Sequence, residues 1–280
     1  MKPFGRCTIK KDYPKISVIT PSYNQGAFIE RTIKSVISQS YDNVEYIIID
    51  GGSTDNTLDI IKKYSSQINF WVSEKDNGQY DAIKKGFSLA KGEILCWLNS
   101  DDIFLQDSLK NVSLSFQKNK NVDVVYGNLY YIDKNDEVIR DMRNTPIIKI
   151  GYLYKAGFGL SQPEVFWKRD LYEKVGGINE NGQFAMDYDL FFRFIKYGAN
   201  FMFISEHLSA LRFYEQTKTH NIPHIGRAEN IEIRKKLFLG NNQKFRALLK
   251  SLVWTIKVFH FLKQSELRYL WQQIRYKILK

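Results

Sequence analysis

The sequence predicts an α/β protein: a mostly parallel sheet with helices on both faces, then a mixed second half and a helical C-terminal tail. Three observations support this class. Short β-branched runs alternate with segments of helical apolar spacing over residues 15–102, which is typical of βαβ units. Several of these runs end in polar, turn-forming residues. The last part of the chain is strongly basic and again has helical apolar spacing.

Four strands and three helices are predicted in the first half. The first β-branched run stops at Pro21, which cannot donate to a sheet ladder, and Gly92 is well placed to end the third helix. Strands linked by helices of this length form a parallel sheet with right-handed crossovers, so residues 15–102 are predicted to be a nucleotide-binding half. The expected strands are Lys15–Thr20, Glu45–Ile49, Asn69–Val72 and Ile94–Leu98, with a helix after each of the first three.

The second half, residues 103–225, mixes strands and helices without the βαβ order. The turn at residues 133–136 separates two short runs and predicts an antiparallel hairpin. This half is expected to wall a cleft and to receive a second substrate, so residues 1–225 form one catalytic domain. Strands are expected over 122–127, 128–132, 138–140 and 164–167, and helices over 109–116, 171–175 and from Asp187 to Gly198.

The tail, residues 226–280, carries nearly all of the net charge. Residues 225–280 contain 13 Lys and Arg against 3 Glu, a net charge of +10, whereas the whole chain carries +11. Apolar residues at helical spacing lie among these basic residues, which predicts a basic amphipathic helix. Two interpretations stay open: a solvated helical cap on the domain, or docking on an anionic membrane surface, where each Lys or Arg contributes ~1 kcal/mol.

The cysteines and the apolar stretches of the sequence indicate the cellular compartment of the protein. Cys7 and Cys96 are far apart, and Cys96 lies inside an apolar run, so neither a disulfide framework nor a CxxC metal site is expected. No apolar stretch approaches the ~18 residues of a membrane span, and the N-terminus lacks a signal-peptide apolar region. The sequence therefore predicts a cytoplasmic protein, with peripheral contact to the inner face of the cell membrane if the tail docks there.

Two adjacent carboxylates, Asp101 and Asp102, follow the apolar run Ile94–Leu98. In an open parallel sheet the ligand crevice lies beyond the carboxyl ends of the strands, so both side chains are expected at a cleft. Mg²⁺ and Mn²⁺ prefer carboxylate oxygens together with water and substrate phosphates. The pair therefore predicts a divalent cation site, with a turn or helix cap as the alternative.

Two other strand ends should meet this pair at the same sheet edge. The first carries Pro21, Ser22 and Tyr23, and Tyr23 is predicted to pack against a base or ribose. The second ends in Asp50, which can accept hydrogen bonds from a nucleotide's imide N–H or hydroxyls. A carboxylate that only stabilises its own turn is the alternative for Asp50.

These segments together resemble glycosyltransferase family 2, which has the GT-A fold. The resemblance rests on residues 16–24, 49–55, 91–93 and 99–102 in this order. It implies a nucleoside-diphospho-sugar donor, with a UDP-sugar favoured, and a saccharide or lipid-linked saccharide acceptor. The segment Asn99–Asp102 matches the family's DxD-type metal motif, with Asn99 replacing the first Asp. By this match Asp101 and Asp102 share contacts to the donor ribose and to Mn²⁺ or Mg²⁺.

The resemblance also implies a general base. Residues 185–190 resemble an acidic motif that opens a late helix in the family, with Met186 in place of the first acid, so Asp187 is the predicted catalytic base. Further on, Arg212 is expected to bind the donor diphosphate, because its forked guanidinium matches phosphate. His220 is expected to be a further metal ligand, with a structural role as the alternative. Gln162–Glu164 is expected to border the acceptor pocket.

Two other functions are compatible with parts of the sequence. A sugar-1-phosphate nucleotidyltransferase also binds nucleotide and metal on an α/β sheet, but no Gly-rich, basic loop follows the first strand here. A non-catalytic nucleic-acid-binding protein would explain the positive charge, but no motif that reads RNA or DNA is present. The sequence therefore favours an enzyme without a nucleic-acid partner.

Overall fold

The computed structural model describes residues 13–154, 159–179, 184–215, 217, 223–235 and 243–278. In the first half, strands and helices alternate in the predicted order, which confirms the βαβ half. The elements are β1 Ile16–Ser22, α1 Ile29–Ile37, β2 Val44–Asp50, α2 Thr57–Lys63, β3 Phe70–Ser73, α3 Gln79–Leu89 and β4 Ile94–Trp97.

Pro21 lies inside β1, so the prediction that it ends the first strand is wrong. The Ile19 carbonyl accepts a hydrogen bond from the Leu98 amide, whereas the Ser22 carbonyl accepts one from the Gly51 amide beyond β2. Backbone groups alternate sides along a strand, so Pro21 faces the β4 side, like Ile19. The pairing with β4 ends opposite Ile19. The missing N–H of Pro21 therefore lies beyond the paired part of β4, where a sheet tolerates proline.

The second half departs from the predictions in several elements. The runs expected as separate strands over 122–127 and 128–132 form the single strand β6, Val124–Ile132. The strands β5, Ile103–Phe104, and β9, Phe201–Arg212, and the helix α5, Lys149–Leu153, were not predicted. The hairpin of β6 and β7 is confirmed. The elements are β5 Ile103–Phe104, α4 Ser108–Lys118, β6 Val124–Ile132, β7 Val138–Met142, α5 Lys149–Leu153, β8 Val165–Lys168, α6 Arg169–Lys174, α7 Met186–Tyr197 and β9 Phe201–Arg212.

The described strands form one sheet in the order β3-β2-β1-β4-β8-β6-β9-β5, with β7 paired to β6. The strands β3, β2, β1 and β4 are mutually parallel, and β8 runs antiparallel to both β4 and β6. This reversal brings the residues before β8 to the edge where β1, β2 and β4 end. Both the carboxyl ends of parallel strands and the entry to β8 therefore border the same crevice.

Helices cover both faces of the sheet, as predicted. Alternate residues of one strand enter two cores: Ile47 and Ile49 belong to one, and Ile48 belongs to the other. The first core packs against α3 and α7 and the second against α1 and α4. Burial of apolar side chains on both faces, at about 25 cal/mol per Å², is the main term that stabilises this arrangement.

The tail is helical, as the sequence indicates, and consists in the described ranges of α8 Pro223–Lys235, α9 Gln243–Lys263 and α10 Leu267–Ile278. The predicted boundary between residues 225 and 226 falls inside α8. α9 buries Leu249 and Val253, and Val253 joins the core that includes α7. α10 is held to the β7 segment, because the Tyr269 hydroxyl accepts a hydrogen bond of 3.1 Å from the Arg143 amide. None of the helices described here is long and apolar enough to cross a bilayer.

Candidate active site

The loops after β1 and β2 are tied together side by side. The Asn24 amide donates to Ser53 Oγ at 2.8 Å, and Asn24 Oδ1 accepts from the Thr54 amide at 2.9 Å. Asn24 adopts a positive φ of 52°, which its short polar side chain tolerates better than most residues do. The carboxyl ends of these two strands therefore form one connected rim, as the sequence predicted.

Asp50 stabilises this rim from inside. It is fully buried, and its carboxylate accepts hydrogen bonds from the Gly52 and Ser53 amides and from the Ser53 and Ser73 hydroxyls, at 2.5–3.1 Å. Because Ser53 also accepts from Asn24, the carboxylate of Asp50 organises both loops. The turn-stabilising role is thus visible, and recognition of the base by Asp50 stays a prediction.

Asp101 and Asp102 follow β4 at the same edge. Asp102 is 2% exposed, and its carboxylate accepts from the Arg212 amide at 2.8 Å and from Asn99 Nδ2 at 3.2 Å. Asp101 is half-buried and accepts from the Tyr214 hydroxyl at 3.2 Å. Thr32 fixes the turn from below, because its hydroxyl lies within hydrogen-bond reach of the Ser100 and Asp102 carbonyls.

Electrostatics at this pair favours a cation. Burial raises the pKa of Asp101, and burial together with the neighbouring Asp101 carboxylate raises the pKa of Asp102. The raised pKa values mean that the charged forms of both carboxylates are destabilised, and a bound cation would offset this cost. Carboxylate oxygens are also the ligands that Mg²⁺ and Mn²⁺ prefer. The residues present therefore fit a divalent ion through two carboxylates, with Asp101 the more accessible. Within the described ranges, no group of three His, Cys, Asp or Glu side chains is gathered that could hold a metal.

Arg212, at the end of β9, supports the pair from behind. Its guanidinium is 1% exposed and donates to the Asp101 carbonyl at 2.8 Å and to the Asp133 carbonyl at 2.6 Å. It also pairs with Asp136 at 2.5 Å and lies 4.9 Å from the centre of the Phe28 ring. These protein contacts enclose the side chain. The geometry therefore supports a positioning role, and contact with a diphosphate stays a prediction.

Sequence reasoning missed a second layer of polar residues at the start of α3. Gln79 Nε2 donates to Asn99 Oδ1 at 2.8 Å, which orients the residue that replaces the first acid of the metal motif. Asp76 lies against the β2 turn, since a Cβ added to Gly51 would be 2.7 Å from the Asp76 carboxylate. The motif Asp76-Asn77-Gly78, directly before a predicted helix, was the available signal.

Asp187 lies in the first turn of α7, as predicted, and borders a cavity of about 100 Å³. Its carboxylate accepts from the Tyr188 amide at 2.7 Å. Asp50, Asp101 and Asp102 are not among the described residues that line this cavity, and a single site shared by all four predicted acids stays a prediction. The lining residues are Tyr152, Gly159, Leu160, Phe184, Ala185, Asp187, Tyr188 and Asn230.

The turn Gln162–Glu164 connects the two regions. Gln162 Nε2 donates to the Trp97 carbonyl at the end of β4, and Leu160, two residues earlier, lines the Asp187 cavity. Glu164 is 1% exposed and accepts from the Ser161 amide and from Asn144 Nδ2, both at 2.9 Å. Burial raises the pKa of Glu164 to about 8. Leu160 lines the cavity and residues 162–164 follow it in sequence, so the predicted place of this turn beside an acceptor pocket stays a prediction.

Helix α8 forms part of the Asp187 cavity, which sequence reasoning did not predict. Glu229 Oε2 accepts from the Phe184 amide at 3.0 Å and from the Ala185 amide at 2.8 Å, just before α7. Asn230 lines the cavity itself. A carboxylate at this position satisfies free N–H groups and interacts favourably with the helix dipole. The first helix of the tail is therefore part of the candidate site.

The predicted donor-binding residues at the end of β1 differ in solvent exposure. Tyr23 is 59% exposed at the end of β1, whereas Pro21 and Ser22 are buried. Their contact with a donor stays a prediction. His220 lies outside the described residues, so the structure does not bear on its predicted role as a metal ligand.

Comparison with protein families gives one match over most of the chain. The family model described as "Glycosyl transferase family 2" matches residues 17–200. Among curated proteins, an uncharacterized glycosyltransferase of Rickettsia typhi is 26% identical over 194 residues, covering 65% of this chain and 59% of the relative. Glycosyltransferase GlyG of Streptococcus pneumoniae is 36% identical over 124 residues, covering 43% of this chain and 41% of the relative. The chain thus spans about half the length of these relatives.

Solved structures share the fold at low sequence identity. The fragment TarS 1–349 of S. aureus, in complex with UDP-GlcNAc, aligns with a TM-score of 0.60 and 19% identity, covering 74% of this chain and 61% of that fragment. A mannosyltransferase of Pyrobaculum calidifontis, in complex with GDP-Man and Mn²⁺, aligns with a TM-score of 0.61 and 18% identity, covering 83% and 66%. At this identity the likeness establishes the fold, and it confirms the predicted GT-A type.

Proposed function

Because this chain belongs to glycosyl transferase family 2, we propose that it transfers a sugar from a nucleoside-diphospho-sugar to a hydroxyl of a saccharide acceptor, with inversion at the anomeric carbon. The observation that carries the proposal is the carboxylate pair Asp101 and Asp102, which Arg212 supports at the sheet edge where β1 and β2 also end. One in-line displacement by the acceptor oxygen breaks the bond between the anomeric carbon and the donor phosphate oxygen.

The donor is proposed to bind across the ends of β1, β2 and β4. Tyr23 is exposed there and offers a ring that can stack on a base or ribose. TarS was solved with UDP-GlcNAc and with UDP, and the mannosyltransferase with GDP-Man. We favour a UDP-sugar that carries a hexose or N-acetylhexosamine. In this arrangement Asp50 acts through the loop that it orders, and Arg212 acts by holding Asp101 in place.

Asp101 and Asp102 are proposed to hold Mn²⁺ or Mg²⁺. The fit rests on two adjacent carboxylates, one of them 2% exposed, whose charges need a cation nearby. When bound, such an ion stabilises negative charge on the departing diphosphate. The mannosyltransferase that shares the fold was solved with Mn²⁺.

Asp187 is proposed as the general base. A positioned carboxylate that takes the proton of the attacking hydroxyl contributes typically 10²- to 10⁴-fold in rate. Tyr152 and Tyr188 line the same cavity, are 2% and 3% exposed, and have ring centres 5.3 Å apart, so the carboxylate lies beside packed aromatic rings.

The acceptor is proposed to be lipid-linked and the reaction to belong to surface polysaccharide assembly on the cytoplasmic side of the membrane. The support is the basic tail, whose first helix contributes Asn230 to the Asp187 cavity. A helix that joins a cationic segment to the site suits an acceptor that is presented at an anionic surface.

Thermal shift and transfer assays on single variants test the two roles separately. The full chain is expected to melt at a higher temperature with a UDP-sugar and Mn²⁺ than with either alone, because a ligand selective for the native state stabilises it. Asp102→Ala is expected to lose the Mn²⁺-dependent part of this shift.

Asp187→Ala is expected to keep the shift and to lose 10²- to 10⁴-fold in turnover. Full transfer activity of Asp187→Ala would refute the assignment of the base, and pyrophosphate release from a nucleoside triphosphate and a sugar phosphate would refute the reaction class.

A further inference from the structure

We propose that α9 and α10 present an apolar surface that docks the protein on an anionic lipid bilayer. The proposal concerns the tail alone and does not depend on the transfer reaction. We call this the tail surface and define it by its exposed large apolar residues. They are Phe245, Leu248, Leu252, Ile256, Phe259 and Leu262 of α9, and Leu267 and Trp271 of α10.

The tail surface is more apolar than a soluble domain needs. Among the described residues, 16 large apolar side chains are exposed, and 8 of them lie in this hairpin of two helices. Leu248, Phe259 and Trp271 are each 67% exposed. Such concentration in one segment marks an interaction surface, whereas scattered exposed apolar residues are normal.

The exposed stripe is distinct from the face that attaches α9 to the body. Leu249 and Val253 are 5% and 1% exposed and pack inward. Leu248, Leu252, Ile256 and Phe259 recur at i, i+4, i+8 and i+11, so they share a different face of the helix. The apolar spacing therefore serves two surfaces: one is covered by the protein, and the other faces solvent.

The charge around the stripe identifies an anionic occupant. Within residues 243–278 Glu266 is the single acid, and its carboxylate pairs with Arg143 at 2.8 Å. Several basic residues of the same helices are exposed, and each one near an anionic membrane strengthens binding about fivefold. They are Lys244, Arg246, Lys250, Lys263, Arg268 and Arg275.

A lipid surface fits this combination better than a second copy or a nucleic acid does. A symmetric dimer through the tail surface would bring the same cationic residues of both copies together, which is repulsive. A phosphate backbone would leave the leucines and phenylalanines in water. A bilayer interface takes both, and Trp271 next to Arg268 and Arg275 has the residue types that concentrate at that interface.

Vesicle flotation of the full chain tests the docking. We expect binding to phosphatidylglycerol/phosphatidylcholine vesicles at low salt, and weak binding to pure phosphatidylcholine or at 1 M salt, where the Debye length falls to about 3 Å. Leu252→Ser/Phe259→Ser is expected to reduce binding at least tenfold, because two exposed apolar groups no longer enter the interface. The matched control Val138→Ser/Ile139→Ser removes two side chains of similar exposure on β7 and should leave binding unchanged.

Charge-reversal variants in the same vesicle assay distinguish electrostatic docking from non-specific apolar adsorption. Lys250→Glu/Arg268→Glu is expected to reduce binding to the anionic vesicles at least about 20-fold. Lys118→Glu/Lys120→Glu makes the same charge change on exposed residues of the body and should have little effect. In Trp271→Phe, the blue shift of tryptophan fluorescence on vesicles should be lost.

The proposal is overturned if the tail variants float as well as the unmodified chain. It is also overturned if, without lipid, the chain sediments as a dimer that Leu252→Ser/Phe259→Ser converts to a monomer, because a second copy then covers the surface. Donor turnover without vesicles should be equal in all these variants. If the unmodified chain turns over donor but does not float on the anionic vesicles, only the membrane proposal is refuted. If it floats but no protein turns over donor, only the proposed reaction is refuted.

Discussion

At the scale of single residues, burial assigns roles that residue type leaves open. Arg212 has the chemistry of a phosphate ligand, yet its guanidinium is enclosed by the carbonyls of Asp101 and Asp133 and by the Phe28 ring. Asp50 has the chemistry of a base-recognising carboxylate, yet it accepts three hydrogen bonds from its own turn and one from Ser73 at the end of β3. In both cases the residue shapes the rim of the site from within.

Glu164 gives a prediction on pH and stability. The pKa of Glu164 is about 8 in the folded protein, against 4.5 for an ordinary Glu carboxyl group, so the folded state binds more protons between these two pH values. Stability therefore falls as pH rises through this window, by at most on the order of 5 kcal/mol. Glu164→Gln does not titrate, and its amide oxygen can accept the hydrogen bonds from Ser161 and Asn144.

Urea unfolding of both proteins at pH 5 and pH 8 measures this effect. The free energy of unfolding of the unmodified chain is expected to fall relative to that of Glu164→Gln as the pH rises. The variant minus the unmodified chain should therefore be more positive by several kcal/mol at pH 8 than at pH 5. A difference that stays constant between the two pH values would contradict the raised pKa of Glu164.

At the scale of elements, the local sequence pattern was sufficient to predict strands and helices whose neighbours in the sequence are also their neighbours in the fold. The first four strands and their helices followed from alternation and turn residues, and so did the position of Asp101 and Asp102 beyond β4. The strand β9 was missed because its segment, Phe201–Arg212, has no clean alternation of apolar and polar residues, and its pairing with β6 is long-range. The placement of Arg212 depends on this strand, so the sequence could not define its surroundings.

The same reasoning explains why the contact of α8 with α7 was not predicted. Its sequence is polar and basic, which indicated a tail, but it packs on the start of α7 through Glu229 and the close approach of Gly226 to Phe184. A Cβ added to Gly226 would lie 2.3 Å from the Phe184 ring. Contacts between segments some 40 residues apart leave no periodic signal in either segment.

Glu229 is expected to be a positioning residue for Asp187. Glu229→Ala removes the acceptor of the Phe184 and Ala185 amides, so the first turn of α7 loses its anchor. We expect kcat to fall about 10- to 100-fold, since small displacements of a general base are costly, with the donor KM unchanged. Glu229→Gln keeps one acceptor oxygen and should restore part of the rate.

The control for this variant is the Mn²⁺-dependent thermal shift with a UDP-sugar, which should persist because Asp101 and Asp102 are untouched. A parallel loss of donor binding and turnover would instead indicate general unfolding. An unchanged kcat would show that α7 holds Asp187 without help from α8.

At the scale of the whole molecule, the halves and the tail are interlocked. Arg212 of the second half holds the turn of Asp101 and Asp102 in the first, and Arg31 of α1 pairs with Asp136 at 3.0 Å. Arg143 lies 2.8 Å from Glu266 and 5.2 Å from the centre of the Tyr269 ring, which fastens the tail to β7. Residue 102 is therefore a boundary in sequence pattern but not in the packed structure.

Arg143→Ala is expected to loosen α10 selectively. Loss of a partly buried ion pair and a cation–π contact should cost about 1–2 kcal/mol, so amide exchange in α10 should accelerate about 5- to 30-fold. Hydrogen exchange measured by mass spectrometry resolves this helix from the body. Lys63→Ala, which removes the exposed pair with Glu30, is the control and should not change exchange in α10.

The unpredicted strand β9 fixes the distance between helix α9 and the acidic pair Asp101 and Asp102. Phe203, near its start, packs on His260 of α9, and Arg212, at its end, fastens the acidic pair. Phe203 pairs with Tyr126 and Arg212 with Ile132, so the two ends lie six residue steps of β6 apart, about 20 Å, and the extra residues of β9 are taken up by register shifts around Asn128. If the tail surface rests on lipid as proposed, the length of this strand limits how far the acidic pair can lie from the contact with α9. Acceptors would then be selected by how far their sugar chain extends from the bilayer.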